Sequence, residues 1–219
     1  MSREPFAVLF DLDGTLVNSI GLLVSSMEHA YEGRLRRPPV EEWVQLIGTP
    51  LDDMLGAWAE GPEDVQTLKA RYREFQFAHH DAMTTAYPGT VEAIRALHAA
   101  GHPLAVVTSK LEFGARKSLA WVGIEECFGA VVGMDATTKH KPGPEPVWYA
   151  LERLGVPASR ALFVGDSTHD MNSGRAAGVQ TGAALWGPFH RAQLESTGPS
   201  YWLNGMEDVV PLVHRLALR

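Results

Sequence analysis

Residues 6–15 read FAVLFDLDGT, and this stretch decides the fold class. It opens with five apolar residues and stops at an acidic segment, which is typical of a buried parallel strand that ends in a loop. Similar apolar runs lie at residues 103–107, 130–132 and 161–164. Amphipathic stretches of helical length lie between or after them, at residues 91–100, 112–122, 145–154 and 169–177. Strands that alternate with helices predict an α/β fold, with a mostly parallel sheet covered on both faces and ligands at the carboxyl ends of its strands.

Residues 16–86 interrupt this alternation. Over roughly 70 residues the pattern is helical and contains no convincing buried strand. Four helices are predicted, at residues 19–31, 40–46, 51–59 and 63–80, with breaks rich in proline and glycine between them. The sequence therefore predicts an α/β core formed by residues 1–15 and 87–219, with residues 16–86 inserted as a small helical domain.

The composition is that of a globular protein, and its net charge disfavours two classes of partner. Hydrophobic residues make up 45% of the 219 residues and charged residues 21%, as in globular proteins that bury a sizeable core. The formal net charge of −7 disfavours attraction to nucleic acid or to an anionic membrane.

No apolar segment approaches the roughly 20 residues needed to cross a bilayer. The single Cys127 cannot form an internal disulfide, and the segment around Arg3 and Glu4 does not read as a signal peptide, so a cytoplasmic location is expected.

Two pairs of carboxylates follow predicted strands. Asp11 and Asp13 come directly after the first run, and Asp166 and Asp170 follow the run at residues 161–164. The carboxyl ends of parallel strands meet at one edge of a sheet, so these four carboxylates would repel one another strongly unless a cation were bound. Oxygen-rich sites of this kind suit Mg²⁺, which prefers a few carboxylates together with water and phosphate oxygens. The first pair taken alone fits an ordinary strand-to-helix loop equally well.

Three further residues are candidates for binding a phosphoryl group. Lys141 precedes a predicted helix, where it can neutralise both a nucleophilic carboxylate and the transferred group. Thr108 and Ser109 follow the strand at residues 103–107 and offer hydroxyl and backbone N–H donors. Taken singly, a lysine is more often a solvated surface residue, as the nearby Lys139 illustrates, and the two hydroxyl residues fit an ordinary strand end.

Taken together in chain order, these residues resemble the four motifs of the haloacid dehalogenase-like hydrolase superfamily. The motifs are residues 11–15 (DLDGT), Thr108, Lys141-Pro142, and residues 165–170. The resemblance spans nearly the whole chain and implies a Rossmann-like parallel sheet. The insertion after the first motif is similar to the small helical cap of the phosphoglycolate phosphatase-like branch. Bacterial inorganic pyrophosphatase relatives are also similar, in residues 79–81 (HHD), 140–146 (HKPGPEP) and 186–194.

The resemblance implies a role for each residue that reacts with or binds the phosphoryl group. Asp11 is implied to be the nucleophile that forms an aspartyl-phosphate. Asp13 is implied to act as general acid toward the leaving oxygen and then as general base for the hydrolytic water. By the same resemblance, Thr108 binds the phosphoryl oxygens and Lys141 stabilises charge.

The resemblance also implies a set of metal ligands. Mg²⁺ is expected to be held by the Asp11 carboxylate, the Asp13 backbone carbonyl and Asp166. Asp170 is expected either to support this set from outside or to be an additional ligand.

The implied function is a capped, Mg²⁺-dependent phosphatase of a small soluble phosphorylated compound, with phosphoglycolate and inorganic pyrophosphate as leading candidates. Haloacid dehalogenation is disfavoured because it needs no acid at the position of Asp13. Two alternatives stay open. One is a sugar-phosphate mutase of the same fold, and the other is a phospho-acceptor signalling module, which has no use for Asp13 as an acid or for a cap. The sequence is compatible with a monomer or a homodimer.

Substrate choice is expected to lie in the cap and in the loop that faces it. The core groups recognise only the phosphoryl group, which every candidate substrate shares. Gly48, at a break between two predicted cap helices, allows a close approach of the backbone. Ser109 and Lys110 are expected to contact the substrate, with Lys110 paired to a second anionic end.

Four residues near the predicted cap and cleft are interpreted as structural. Asn18 stands where many relatives carry Asp and is expected to be the N-cap of the first cap helix. His79 and His80 look like metal ligands, but adjacent residues on a helix face different ways, so a structural or hinge role is expected. Trp186 is expected near the rim of the cleft.

Overall fold

The structure is a computed structural model, and it describes residues 5–218. Arg3 and Glu4, on which the expectation about a signal peptide rests, lie outside the described residues. The strands are β1 (Ala7–Phe10), β2 (Val17–Asn18), β3 (Thr85–Ala86), β4 (Leu104–Val107), β5 (Ala130–Val132), β6 (Ala161–Gly165), β7 (Gln180–Ala184) and β8 (Tyr201–Leu203). The helices are α1 (Ile20–Ala30), α2 (Val40–Leu46), α3 (Leu51–Gly56), α4 (Pro62–Met83), α5 (Thr90–Ala99), α6 (Glu112–Trp121), α7 (Glu145–Leu154), α8 (Thr168–Ala177), α9 (Arg191–Leu194) and α10 (Val209–Ala217).

Six strands form one parallel sheet in the order β5-β4-β1-β6-β7-β8. The first strand is central, and Phe10 near its end is paired with Val106 of β4 and with Val164 of β6. The predicted α/β fold with a parallel sheet is therefore confirmed. Because β4, β1 and β6 end side by side, the residues that follow them are brought to one edge.

Both faces of the sheet are covered by helices. Val8 and Phe10 of β1 belong to one apolar cluster, which includes Ile94 of α5 and Val213 of α10. The intervening residues of β1 belong to a second cluster, which includes Val147 of α7. Successive side chains of a strand point to opposite faces, so a strand covered on both sides is apolar throughout. This burial explains why β1 reads as an uninterrupted apolar run.

Helices α1 to α4 bury an apolar cluster of their own. Its buried members include Leu23, Met27, Trp43, Leu55, Leu68 and Tyr72. As expected, residues 16–86 contribute no strand to the buried six-stranded sheet. Two short strands that were not predicted, β2 and β3, pair antiparallel where the chain leaves and rejoins the core. Asn18 lies in β2 and is exposed, and the N-cap position of α1 is occupied by Ser19. The expectation that Asn18 caps this helix is therefore wrong.

Several elements were not predicted from the sequence. They are the edge strand β8, the short helix α9 and the C-terminal helix α10. Within residues 5–218, no helix combines the length and apolar character that crossing a membrane would require.

Candidate active site

Three polar residues follow the three central strands. Asp11 comes directly after β1, Thr108 after β4 and Asp166 after β6. The Asp11 N–H donates to the Val164 carbonyl (2.9 Å), so the sheet pairing extends one residue beyond β1, into the segment DLDGT. All three residues are at least 95% buried. The sheet topology thus places these three residues at one edge, and Asp11 and Thr108 line a cavity that residues of α3 and α4 also line.

Asp11, Asp166 and Asp170 form a carboxylate cluster. Each contributes one carboxylate oxygen to a group in which all such oxygens lie within 4.8 Å of one another. Burial, followed by repulsion from the neighbouring carboxylates, raises the pKa of Asp166 well above its usual value. Burial also raises the pKa of Asp11, and the lowering by Lys141 does not cancel this rise. Keeping the cluster ionised therefore requires positive charge within it.

Lys141 supplies part of that charge. Its Nζ donates to Oδ1 of Asp11 (2.8 Å) and to Oδ1 of Asp170 (2.7 Å). Burial alone would lower the pKa of this ammonium, but the two carboxylates outweigh burial and raise it. With 4% exposure, Lys141 is not a surface lysine, whereas the side chain of Lys139 is 75% exposed. One ammonium among three carboxylates leaves a formal deficit of two charges, which a divalent cation would neutralise.

Gly14 is required by the close packing of the first loop. Its φ of +94° lies in the left-handed region, and a Cβ at this position would come within 2.7 Å of the Asp166 carboxylate. The next residue, Thr15, donates from Oγ1 to Asp166 Oδ1 (2.6 Å), and its carbonyl accepts from the Trp186 indole (2.9 Å). The first loop therefore fixes the orientation of Asp166, and Trp186 lies beside that loop.

Asp13 lies outside the carboxylate cluster and has partners of its own. Its Oδ1 accepts from the Ser19 hydroxyl (2.5 Å), and its carboxylate pairs with Lys110 Nζ at 2.7 and 3.0 Å. The structure thus places the Lys110 ammonium on the predicted general acid. The expected pairing of Lys110 with a distant end of the substrate has to compete with this ion pair.

Asp170 uses both of its carboxylate oxygens within the protein. Besides the bond from Lys141 to Oδ1, Oδ2 accepts from the backbone N–H (3.0 Å) and the hydroxyl (2.6 Å) of Ser167. Ser167 is the N-cap of α8, and the two residues form a capping box. This network favours the expectation that Asp170 supports the site from outside the ligand set.

The loop between α2 and α3 contacts the core beside the site. The Ser109 hydroxyl donates to the Gly48 carbonyl. Gly48 has a φ of +102°, and a Cβ there would lie 3.3 Å from the Ser167 hydroxyl. A second contact joins the amides of Gln45 and Gln193 (2.6 Å). Gly48 and Ser109 are therefore in contact with each other, and both line the cavity beside Asp11.

Comparison with known proteins supplies the family. The model for haloacid dehalogenase-like hydrolases matches residues 8–184, most of the chain. The chain belongs to this family. The predicted resemblance to haloacid dehalogenase-like hydrolases is confirmed, and the protein is an enzyme of the hydrolase class.

Individual relatives of this hydrolase match over nearly their full lengths. Pyrophosphatase PpaX of Halalkalibacterium halodurans is 37% identical over 213 residues, covering 94% of this chain and 95% of the relative. Pyrophosphatase PpaX of Bacillus cereus is 35% identical, covering 95% and 96%. A crystal structure from Haemophilus somnus, described as a predicted phosphoglycolate phosphatase, has a TM-score of 0.87 at 24% identity and covers 97% of this chain and 99% of its own. The structural likeness supports the fold alone.

The two adjacent histidines of this hydrolase lie in different environments. His80 is buried, with Nδ1 2.7 Å from Asp81 Oδ1 and Nε2 2.9 Å from the Ser118 hydroxyl. His79 is exposed and its ring lies 4.1 Å from that of Phe75. They do not share a metal-binding group within the described residues. His80 instead joins the end of α4 to α6.

Sequence reasoning did not identify the hydrogen bonds by which three hydroxyl residues orient the carboxylates. Ser19 bonds to Asp13, Thr15 to Asp166 and Ser167 to Asp170. One signal was available for Ser167, because a serine followed three residues later by an aspartate before a helix is a capping-box pattern. The sequence contains no such signal for Ser19, because its contact with Asp13 depends on the path of the chain through β2.

Proposed function

We propose that this hydrolase is a phosphatase that transfers a phosphoryl group to Asp11 and then to water. The observation that carries the proposal is a buried carboxylate at the end of the central strand, bonded at 2.8 Å to a buried lysine, with a second carboxyl two residues away. Lys141 favours the ionised Asp11, and an ionised carboxylate is the form that can attack phosphorus.

In the first half of the proposed reaction, an Asp11 oxygen attacks phosphorus. A bond forms between this oxygen and phosphorus while the bond from phosphorus to the leaving oxygen breaks. Asp13 donates its proton to the leaving oxygen. Ser19 and Lys110 hold the Asp13 carboxyl at the cleft. In this proposal Thr108, which follows the neighbouring strand β4, donates to the phosphoryl oxygens.

In the second half, Asp13 takes a proton from water as the water oxygen attacks phosphorus. The bond between Asp11 and phosphorus breaks, which releases inorganic phosphate and restores the Asp11 carboxylate. The developing negative charge on the phosphoryl oxygens lies close to the Lys141 ammonium. Each carboxylate therefore has a distinct role, which follows from its distinct partners.

Magnesium fits the carboxylate cluster. Three buried carboxylates with a single ammonium form an oxygen-rich and electron-rich donor set. Asp11, Asp166 and the Asp13 backbone carbonyl are the groups that would hold the ion. Bound Mg²⁺ would supply positive charge that lets an anionic phosphate approach two acidic residues.

We propose phosphoglycolate and inorganic pyrophosphate as the leading substrates, with the cap (residues 16–86) closing over a small soluble compound. The names of the PpaX relatives favour pyrophosphate. Neither a nucleic acid nor a membrane is expected as a partner, and a cytoplasmic monomer or homodimer fits the proposal. Hydrolysis is favoured over a mutase because the relatives are named for it, and a signalling module would leave Asp13 and the cap without a role.

A phosphate-release screen with purified protein tests this proposal. It should contain inorganic pyrophosphate, phosphoglycolate, sugar phosphates and p-nitrophenyl phosphate, each with Mg²⁺. We expect phosphate release, with no isomerised sugar phosphate among the products. Isomerisation without phosphate release would indicate the mutase, and an Asp11 phosphate that persists without turnover would indicate the signalling module.

A further inference from the structure

One cavity extends from Asp11 and Asp13 to the long helix α4. Tyr72, Arg73, Gln76, Phe77 and His80 of α4 line it. The positions form two neighbouring rows with helical spacing, 72/76/80 and 73/77, and both rows line the cavity. The groups in these rows face the space in which the leaving group of a substrate would lie.

The basic side chains that line this cavity differ in whether they already have a partner. Lys110 pairs with Asp13, Lys117 Nζ lies 3.2 Å from Asp81, and both ring nitrogens of His80 are bonded. The Arg73 side chain has neither a carboxylate partner nor a hydrogen bond within residues 5–218. Arg73 is half-buried and lines the cavity, and its side chain has no counter-charge within the described residues.

The residue before Arg73 adds an unused hydroxyl to the same cavity. Tyr72 is 97% buried, yet its hydroxyl makes no hydrogen bond within the described part of the chain. Asp13 is near enough to raise the pKa of Tyr72, although burial is the larger cause. The Tyr72 hydroxyl is open to the cavity, so it can donate to a ligand there that accepts hydrogen bonds.

We propose that Arg73, with the Tyr72 hydroxyl and the Gln76 amide, binds a second anionic group carried by the leaving group of the substrate. The proposal rests on the proposed phosphatase function and assigns its specificity to α4. A guanidinium can donate two parallel hydrogen bonds to a carboxylate or a phosphate. Apolar neighbours such as Met54 and Phe77 reduce the screening of this charge pair by water. The substrate class is thus a phosphorylated compound with a second negative group, which includes both pyrophosphate and phosphoglycolate.

Lys110 is the competing residue for this role, and the structure favours Arg73. The ion pair of Lys110 with Asp13 ties it to a group that every substrate needs. Loss of Lys110 is therefore expected to slow all substrates. Loss of Arg73 is expected to slow only those that carry a second negative group.

The test compares kcat/KM for inorganic pyrophosphate, phosphoglycolate and p-nitrophenyl phosphate in the wild type and in Arg73→Gln. We expect a loss of about 10- to 100-fold on the first two substrates, mainly in KM, and little change on p-nitrophenyl phosphate. Arg73→Lys should restore part of the loss because it returns the charge without the paired donors. The matched control is Arg71→Gln on the same helix, since Arg71 contacts Glu32 instead of the cavity.

Three outcomes would overturn the assignment. They are an equal loss on all substrates in Arg73→Gln, no loss on any, and a selective loss in Lys110→Met in place of Arg73→Gln. If the wild type hydrolyses only p-nitrophenyl phosphate, this inference fails while the phosphatase function stands. If it releases no phosphate at all, the phosphatase function fails. In that case, the binding of inorganic pyrophosphate to the wild type and to Arg73→Gln is compared by calorimetry. Weaker binding to Arg73→Gln would support the role of Arg73, and equal binding would reject it.

Discussion

Asp11→Asn is expected to abolish phosphate release, with a loss on the order of 10⁴-fold or more, because it removes the attacking oxygen's charge. The protein should remain folded. Asparagine has nearly the volume of aspartate, and the substitution removes one of three negative charges that repel one another in the buried cluster. The measurement is phosphate release under conditions of excess substrate, with thermal melting of the same sample.

The matched control for this substitution is Asp53→Asn. Asp53 is an exposed residue of α3, so the same chemical change there should leave turnover intact. Substantial turnover by a clean preparation of Asp11→Asn would remove Asp11 from the nucleophile role. Loss of folding in Asp11→Asn would instead show that the ion pair with Lys141 stabilises the protein more than the repulsion destabilises it.

Removal of divalent metal is the second change with a large expected effect. EDTA should eliminate activity, and added Mg²⁺ should restore it, because an anionic phosphate must approach Asp11 and Asp13. Binding to the folded state alone should also raise the melting temperature, by roughly 5 to 10 °C at about 100 times the dissociation constant. Calcium should bind but support little turnover, since its looser coordination misplaces the reacting groups.

Two variants separate a ligand from a supporting residue. Asp166→Ala should reduce the Mg²⁺-dependent rise in melting temperature more than Asp170→Ala does. The reason is that both carboxylate oxygens of Asp170 already accept hydrogen bonds, from Lys141 and Ser167. The carboxylate of Asp166 accepts one only from Thr15 among the described residues. Full activity in chelator, or no change in melting temperature with Mg²⁺, would contradict the metal site.

The sheet could be predicted because its central strands are buried on both faces. Burial on both faces leaves only apolar residues in β1 and β4, and the polar residue that follows marks the end of each strand. The edge strand β8 has no such signal. It is three residues long, and Tyr201 and Trp202 are only partly buried, so its pairing with β7 depends on tertiary contact. Helix α10 did carry a signal, with buried positions at 209, 212, 213 and 216 that match a helical period.

The sequence predicted which residues form the candidate site. It predicted only some of the contacts between them. The acidic pairs are visible in the sequence because both follow predicted parallel strands, and four carboxylates at one edge of a sheet would repel one another without a cation. Without the family resemblance, Lys141 could not be distinguished from Lys139, because the fold decides which of the two side chains is buried beside Asp11. The partner of Lys110 is likewise a property of three dimensions, since Asp13 lies far from it in the chain. Arg73 had no local signal, as it is one of several charged residues on a long amphipathic helix.

Detection of phosphorylated Asp11 tests the proposed covalent step. Asp13→Asn should accumulate the intermediate from p-nitrophenyl phosphate, because this leaving group needs little help from an acid whereas the hydrolytic water still needs a base. After an acid quench and proteolysis, mass spectrometry should find the phosphoryl group on the peptide that contains residues 6–15, at Asp11, and hydroxylamine should remove it. Phosphate release by the wild type with no phosphorylated Asp11 in this variant, or with the phosphoryl group on another residue, would contradict the account.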